Sequence, residues 1–372
     1  MQIHVPTPIA HLPWRMLLVV IALTSFGLLV LYSAAGGRMT WAAPQGVRFV
    51  MFLGMAIAMS YFRPQFYKEW AFLGFAGALL LLILVEAMGA IGGGAQRWLD
   101  LGVIRLQPSE LMKPAVVLAI ARYYDMLPAR EIRTFTAVWP PLLMIGVPAG
   151  LVMLQPDLGT AIAVCIGGAT VMFLAGLPLR LFAAAAGAAA VIGPLAYNFL
   201  LHDYQRTRVT IFMNPEADPL GAGYHITQSK IAIGSGGVFG NGFLQGTQSH
   251  FAFLPEPHTD FVFATMAEEW GILGGLVIIL GFALLIRWGT NVALEAKGRF
   301  ERLAAAGLTM TIYFNVAINL MMVMGLAPVV GIPLPLISYG GTAMMTVLIC
   351  LGMLMSIDRQ TRMDTRRRPG VV

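Results

Sequence analysis

The stretch "HTDFVFATMAEEWGILGGLVIILGFALLIR", residues 258–287, joins a polar start to an apolar run that is long enough to cross a membrane. Asp260 stands at its start, and Glu268 and Glu269 lie deeper in the apolar part. Charged groups are costly in hydrocarbon, so each one needs a partner or a function. This stretch therefore predicts a membrane helix with functional or paired carboxylates near one end.

The composition extends this prediction to the whole chain. Of the 372 residues, 58% are hydrophobic and only 11% are charged, and the mean hydropathy is +0.76. An average soluble domain carries about 25% charged residues. We expect an all-α, polytopic membrane protein in which residues 1–372 form a single transmembrane domain.

Hydropathy divides the chain into about ten predicted spans, because a transmembrane helix needs about 20 apolar residues. The fourth is the weakest, since Glu110 and Lys113 lie in its first turns. The predicted limits are 15–35, 46–62, 70–90, 108–124, 136–154, 158–176, 180–200, 261–287, 303–326 and 339–357.

Basic residues set the expected orientation, because cytoplasmic loops of membrane proteins are enriched in Lys and Arg. With the N-terminus inside, 16 of the 24 Lys and Arg residues are cytoplasmic and the other 8 are outside. Both termini are then cytoplasmic, and the basic tail 359–372 lies near anionic lipid. Nucleic acid is not an expected partner, since no basic stripe with interleaved aromatic residues occurs.

Several polar residues converge on the predicted outer side of the membrane. The longest loop, residues 201–260 between spans seven and eight, lies on that side, and loops of this length are usually functional. The spacing of Glu110 and Lys113 places both on one helix face. The candidate site residues are Glu110, Lys113, Asp157, Arg206, Arg208, Asp260 and Ser338.

Simple structural roles compete with a functional role for the carboxylates. Glu110, Asp157 and Asp260 all stand where a carboxylate stabilises the start of a helix. Lys113 fits that interpretation poorly, because a lysine one turn inside the apolar zone needs Glu110 or a ligand as its partner. For Glu268 and Glu269 a structural role is favoured over a chemical one.

Three further segments carry structural predictions. The glycines of 234–242 resemble a phosphate loop only loosely, so interfacial turns are the favoured interpretation. Segment 331–341 predicts a re-entrant turn, and Tyr224–Ile233 predicts a short helix on the membrane surface. The histidines show no metal-ligand spacing, and no motif indicates an organic cofactor.

Seven quoted motifs together resemble the SEDS family (shape, elongation, division and sporulation) from about Trp14 to Ile357. The stretch "HDYQRTRV" (202–209) is similar to the elongation branch rather than the division branch. The motifs are "AQRWLDLG", "QPSELMK", "QPDLGT", "DPLGAGYHITQSKIAIGSGG", "GTQS", "FLPEPHTDFVFATMAEEWG" and "GIPLPLISYGG".

The resemblance implies a ten-span peptidoglycan glycosyltransferase of the bacterial cytoplasmic (inner) membrane, acting in cell wall synthesis and cell shape. It implies lipid II as substrate, an active site on the outer face and Asp260 as the essential carboxylate. It also implies a class B penicillin-binding protein (a transpeptidase) and other elongation-complex proteins as partners.

The residues suit that chemistry. Asp260 can act as the general base for the acceptor 4-hydroxyl, and direct displacement by that hydroxyl inverts the donor's anomeric centre. Lys113, Arg206 and Arg208 can stabilise the undecaprenyl pyrophosphate leaving group. Glu110 would hold Lys113 or orient a sugar, and Asp157 and Ser338 lie on the same side. A divalent cation, magnesium or manganese, would suit a pyrophosphate, with Glu110 and Asp157 as weak candidate ligands.

Two other functions remain open from the sequence. A lipid II flippase or transporter would need ionisable groups along a path through the membrane, whereas the unusual charges here gather on one side. A non-catalytic elongation scaffold would tolerate replacement of Asp260.

Overall fold

The computed structural model describes residues 12–92, 95–100, 105–199, 206, 210–214, 222–250, 253–254 and 256–366. Twelve α-helices dominate this part of the chain. Their bounds are α1 Trp14–Ala34, α2 Ala42–Ser60, α3 Pro64–Met88, α4 Pro108–Met126, α5 Trp139–Leu154, α6 Leu158–Leu174, α7 Leu179–Phe199, α8 Ala222–Ser235, α9 Thr247–His250, α10 Val262–Glu295, α11 Arg299–Val323 and α12 Gly341–Arg366.

Each of the ten predicted spans is a helix, so the all-α membrane fold is confirmed. Seven of the described helical segments are long and apolar enough to cross a membrane, and Leu158–Leu174 and Leu179–Pro194 are shorter apolar helices. Helices α10 and α12 continue to Glu295 and Arg366, beyond the predicted ends at 287 and 357. The extension of α12, residues 358–366, is strongly polar, and that of α10, residues 288–295, is of mixed character, so neither adds a clear hydropathy signal.

A small antiparallel sheet forms in the segment 90–107, where the sequence predicted only a loop. Its strands are β1 Ala90–Gly92, β2 Ala95–Asp100 and β3 Arg105–Leu106, in the order β1-β2-β3. Leu99 pairs with Leu106 and Asp100 with Arg105. These strands are too short for a clear alternation of polar and apolar residues, which is the usual sequence signal of a strand.

Helices α4, α6 and α11 pack against one another at the centre of the bundle. Small residues permit their close approach, as is common where helices meet in membranes. A Cβ on Gly307 of α11 would lie 2.6 Å from Val117 of α4 and 2.7 Å from Val171 of α6. This packing fixes the ends of α4, α6 and α11 relative to one another, and the candidate site is built from those ends.

The two ends of the bundle carry different polar groups. At one end, Lys68 pairs with Asp125 at 2.6 Å, and Arg299 donates to the carbonyl of Leu127 at 2.8 Å. At the other end lie the starts of α4, α6 and α10 and the loop before α12. Lys68 and Arg299, which are predicted to be cytoplasmic, therefore lie at the opposite end from the predicted outer residues Glu110, Asp157 and Asp260.

Candidate active site

Asp260 lies in the turn that leads into α10, and it is half-buried. The N-cap residue of α10 is Phe261, which makes no side-chain capping bond. The backbone carbonyl of Asp260 accepts a hydrogen bond from Nδ2 of Asn319, at 3.0 Å. The turn before α10 is therefore tied to α11 through the backbone of Asp260.

Segment 331–341 packs directly against this turn, and most of its backbone is irregular up to the start of α12, as the sequence predicted. Ser338 Oγ donates to the carbonyl of Thr259 at 2.6 Å, and Tyr339 N donates to the carbonyl of His258 at 2.8 Å. Gly331 has a φ of +71°, and a Cβ there would lie 3.5 Å from Oδ2 of Asp260. The Asp260 carboxylate thus lies beside the backbone of Gly331.

The start of α2 contacts segment 331–341 from another side. Gln45, which is buried, donates to the carbonyl of Ser338 at 2.8 Å and accepts from Gly340 N at 3.4 Å. Arg48 lies 5.1 Å from the ring of Tyr339. Arg48 is one of the eight basic residues predicted to lie outside, and the structure places it next to the Ser338 segment.

His258, two residues before Asp260, stacks on an aromatic side chain. Its ring stacks on Trp41 with centroids 4.0 Å apart and an interplanar angle of 3°. Burial lowers the pKa of His258 below its usual value, against the smaller opposing effect of the Glu256 carboxylate. At neutral pH the imidazole is therefore uncharged, and it serves as a packing surface rather than as a cation for the substrate.

Glu110 and Lys113 form the predicted pair on one face of α4. Lys113 Nζ lies 2.6 Å from Glu110 Oε1, and the side chains are 1% and 6% exposed. A buried ion pair is expensive to desolvate and is weak evidence for a stabilising role. Its position, at the start of α4 and at the same end of the bundle as Asp260, makes it a candidate binding site for an anion.

Asp157 has the structural role that the sequence allowed for it. Its Oδ1 accepts from Thr160 N at 3.1 Å as the N-cap of α6, and its Oδ2 accepts from Gln107 Nε2 at 3.0 Å. Arg97 of β2 donates to the carbonyls of Gln155, at 2.8 Å, and of Pro156. Both carboxylate oxygens of Asp157 are engaged, which makes it a poor candidate for a metal or substrate ligand.

Glu268, which is fully buried, anchors the loop that leads to Asp260. Its Oε1 accepts from Thr247 N at 2.6 Å, Thr247 Oγ1 at 2.9 Å and Gln248 N at 2.9 Å, all at the start of α9. Glu269 accepts from Ser33 Oγ of α1. The structural role expected for both residues has a physical basis, since each carboxylate ties α10 to another segment.

The glycine-rich segment 236–242 is inserted into a break in α10. Gly271, with φ 62° and ψ −158°, interrupts the helix, so the amides of 272 and 273 cannot reach the carbonyls of 268 and 269. The segment bonds to all four groups. Ile272 N and Leu273 N donate to the carbonyls of Gly237 and Val238, at 3.0 and 3.2 Å. Asn241 N and Gly242 N donate to the carbonyls of Glu268 and Glu269, at 2.9 and 3.1 Å.

This insertion explains the glycines without a phosphate. A Cβ on Gly240 would lie 2.1 Å from the carbonyl oxygen of Glu269, and one on Gly236 would lie 2.0 Å from that of Ala267. The backbone of the segment must therefore contact the backbone of α10 directly. The prediction of interfacial turns was incomplete, because the segment also supplies the missing hydrogen-bond partners of the interrupted helix α10.

Replacing Gly240 with alanine is expected to destabilise the protein by about 1–3 kcal/mol, because the new methyl overlaps backbone atoms that cannot move independently. The measurement is the temperature of cooperative unfolding in detergent. Gly234→Ala is the control, since a Cβ at Gly234 would meet nothing within 4 Å. Equal unfolding temperatures for both variants would contradict the tight contact.

The remaining predicted residues lie in or beside the long loop. Arg206 is half-buried, and its carbonyl accepts from Thr210 Oγ1 at 3.0 Å. Arg208 lies outside the described residues. The predicted surface helix exists as α8, but it packs on α10 and α11, and Ser229 donates to the carbonyl of Val323 at 2.7 Å. It is therefore part of the bundle rather than a helix lying freely in the interface.

Asp260 and Ser338 share one hydrogen-bonded unit. Gly159, two residues after Asp157, packs against Ile332 beside that unit, since a Cβ on Gly159 would lie 2.9 Å from Ile332. Sequence reasoning missed Asn319 and Gln45. Asn319 left a signal that is visible afterwards, as an amide side chain within the predicted span 303–326, which is costly in a membrane. Gln45 lies one residue before the predicted span 46–62 and gave no such signal. Within the described part of the chain, no group of three or more His, Cys, Asp or Glu residues converges as metal ligands would.

This architecture defines a polytopic membrane enzyme whose candidate active site lies at one end of the bundle. The chain belongs to the FtsW, RodA and SpoVE family of cell cycle proteins, whose sequence profile matches residues 13–363. The resemblance to the SEDS family is confirmed, and with it the prediction of a peptidoglycan glycosyltransferase of the elongation branch.

Individual relatives agree with this assignment. The chain is 45% identical to the peptidoglycan glycosyltransferase MrdB of Escherichia coli K12, over 95% of each chain. It is 31% identical to the peptidoglycan glycosyltransferase RodA of Treponema pallidum, over 94% of this chain and 98% of that one.

Solved structures show the same fold. A chain of a peptidoglycan synthase complex that coordinates polymerization and crosslinking superposes with a TM-score of 0.82 and 32% identity, covering 94% of this chain and 98% of its own. RodA of Thermus thermophilus, a rod shape determining protein, superposes with a TM-score of 0.71 and 29% identity, covering 94% and 97%.

Proposed function

We propose that the protein polymerises lipid II into glycan strands with Asp260 as the general base. The observation that supports this role most directly is that the Asn319 side chain holds the backbone carbonyl of Asp260 while the Asp260 carboxylate lies beside the backbone of Gly331. A base must be fixed in position to act on the acceptor hydroxyl. In the reaction, Asp260 takes the proton of the acceptor 4-hydroxyl as the hydroxyl oxygen attacks the anomeric carbon.

The leaving group is undecaprenyl pyrophosphate, which departs with the electron pair of the broken anomeric C–O bond. Pyrophosphate needs no acid if cations stabilise its growing charge. Lys113, oriented by Glu110, is the main candidate, with Arg206 and Arg208 as further ones. Direct attack from the opposite face inverts the anomeric centre and leaves no covalent enzyme intermediate.

A magnesium or manganese ion remains compatible with the pyrophosphate itself. Glu110 Oε1 accepts from Lys113 and both Asp157 oxygens accept from protein donors, so these two carboxylates are poorly suited to hold the ion. A bound ion would take most of its ligands from the phosphate oxygens and would offset their charge. Lys113, Arg206 and Arg208 would supply the protein's own positive charge to the pyrophosphate.

The site faces outward in this proposal, and both termini lie in the cytoplasm of a bacterial cell. The excess of basic residues at the opposite end supports that orientation. Lipid II can then keep its tail in the bilayer while its head group reaches Asp260. A class B penicillin-binding protein and other elongation-complex proteins are the proposed partners, because the similar solved chain comes from a complex that couples polymerization to crosslinking.

The test is incubation of the purified full chain with lipid II, with and without a class B penicillin-binding protein. Glycan polymer separable by gel electrophoresis is the expected product. Two results would contradict the proposal. Movement of lipid II across a vesicle membrane without polymer would indicate a transporter, and neither polymer nor movement, even with the partner, would indicate a scaffold.

A further inference from the structure

One buried amide side chain joins the two segments that surround the Asp260 carboxylate. Asn319, in the last turns of α11, is 0% exposed. Its Nδ2 donates to the carbonyl of Asp260 at 3.0 Å and to the carbonyl of Ile332 at 2.7 Å. The first carbonyl belongs to the turn before α10 and the second to the segment before α12. A single NH₂ group therefore links these two segments at Asp260 and Ile332, in addition to the hydrogen bonds that Ser338 and Tyr339 make to the same turn.

The link to Ile332 bears on where the carboxylate lies. Gly331 precedes Ile332, and a Cβ on Gly331 would come within 3.5 Å of Asp260 Oδ2. The Asp260 side chain is thus flanked by the same backbone that Asn319 holds. Ser338 holds the peptide group on the N-terminal side of the Asp260 Cα through the carbonyl of Thr259, and Asn319 holds the peptide group on its C-terminal side through the carbonyl of Asp260. Asn319 is the side chain that joins the Asp260 carbonyl to the backbone beside the Asp260 carboxylate.

Helix packing alone does not explain an amide here. An apolar side chain of similar size would be easier to bury in a membrane helix, since an amide must recover the hydrogen bonds that it loses. Asn319 recovers two through Nδ2, whereas its Oδ1 is buried without a hydrogen-bond partner in the described structure. The residue therefore carries an unsatisfied acceptor at the position that secures the Asp260 turn.

We infer that Asn319 is a positioning residue for the general base. It acts through the Asp260 peptide and the Gly331–Ile332 backbone, and it does not touch the substrate. The inference rests on the proposed role of Asp260. Because a displacement of about 1 Å at a reacting group can cost about 10²-fold in rate, loss of this clamp should act on turnover rather than on substrate binding.

The experiment replaces Asn319 with leucine, which has a similar volume and no donor. We expect kcat for lipid II polymerisation to fall by about 10- to 100-fold with KM nearly unchanged. The acid limb of the kcat–pH profile should also shift, because the surroundings of the base change. If Asn319 only stabilised the bundle, its replacement would lower the unfolding temperature. It would leave kcat, KM and the pH profile of the folded enzyme unchanged.

Asn315→Leu is the matched control. Asn315 lies one turn earlier on α11, is 4% exposed, and makes no hydrogen bond to the Asp260 turn within the described part of the chain. It should keep the wild-type kcat and pH profile. If Asn319→Leu does not fold, Asn319→Ser replaces it, since a serine hydroxyl is too short to hold both carbonyls.

The outcomes separate this inference from the proposed function. A wild-type kcat in the folded Asn319 variant overturns the inference, and so does an equal loss in the Asn315 control. If Asp260→Asn is inactive while Asn319→Leu is fully active, only the positioning role fails. If Asp260→Asn is itself fully active, the assignment of the base fails, and the inference fails with it.

Discussion

Replacing Asp260 with asparagine is expected to reduce polymer formation from lipid II by about 10²–10⁴-fold, the usual contribution of a general base. The substitution keeps the size of the side chain and the backbone carbonyl that Asn319 binds. It removes only the group that can accept the proton of the acceptor hydroxyl. The measurement is the initial rate of polymerisation by purified protein at equal concentrations of folded enzyme.

The same turn supplies a control carboxylate. Glu256 is exposed and accepts from Thr259 Oγ1 at 3.0 Å, four residues before Asp260. Glu256→Gln removes one negative charge from the same loop and should leave the rate within a factor of about two, since a single exposed contact contributes little. A near wild-type rate for Asp260→Asn would assign the base to another group.

The sequence predicted the transmembrane helices because their signal is local. About 20 apolar residues are sufficient to identify a span, and each predicted segment is a helix. The Glu110–Lys113 pair and the Asp157 cap were predictable for the same reason, since both depend on residues three apart in one helix. Local patterns did not predict the short strands of segment 90–107.

The break in α10 could not be predicted, because its partner is distant in sequence. Nothing in "EEWGILGG" (268–275) indicates that two amides and two carbonyls are bonded by residues 237–242. A glycine in a membrane helix is common and usually needs no inserted segment. The positive φ of Gly271 and the close contact of Gly240 depend on tertiary structure.

The candidate site shows the same limit. Its charged residues were visible in the sequence, since charge is rare in this chain. The groups that orient them, Asn319 and Gln45, are neutral amides whose importance depends on which carbonyls they reach. Sequence reasoning therefore identified candidates for the chemistry and missed the residues that hold the backbone in place.

Removing both charges of the Glu110–Lys113 pair is expected to give a folded enzyme with a strongly reduced polymerisation rate. Lys113→Met alone leaves Glu110 buried without its cation, and breaking a buried pair in this way costs about 3–5 kcal/mol. Inactivity of that single variant would therefore be ambiguous. The double variant Glu110→Gln, Lys113→Met leaves no unpaired charge, and replacing a whole buried pair is often neutral for stability.

The double variant separates structure from chemistry. If Lys113 stabilises the departing pyrophosphate, the double variant keeps its unfolding temperature and loses about 10²–10³-fold in polymerisation rate, as expected for one electrostatic contact in a transition state. If the pair is only structural, the double variant is both stable and active, and Lys113 has no part in the reaction. Lys68→Met with Asp125→Asn is the matched control, because that pair has the same 2.6 Å separation at the opposite end of the bundle. Its removal should change the rate little, since it lies far from the site and is partly solvated.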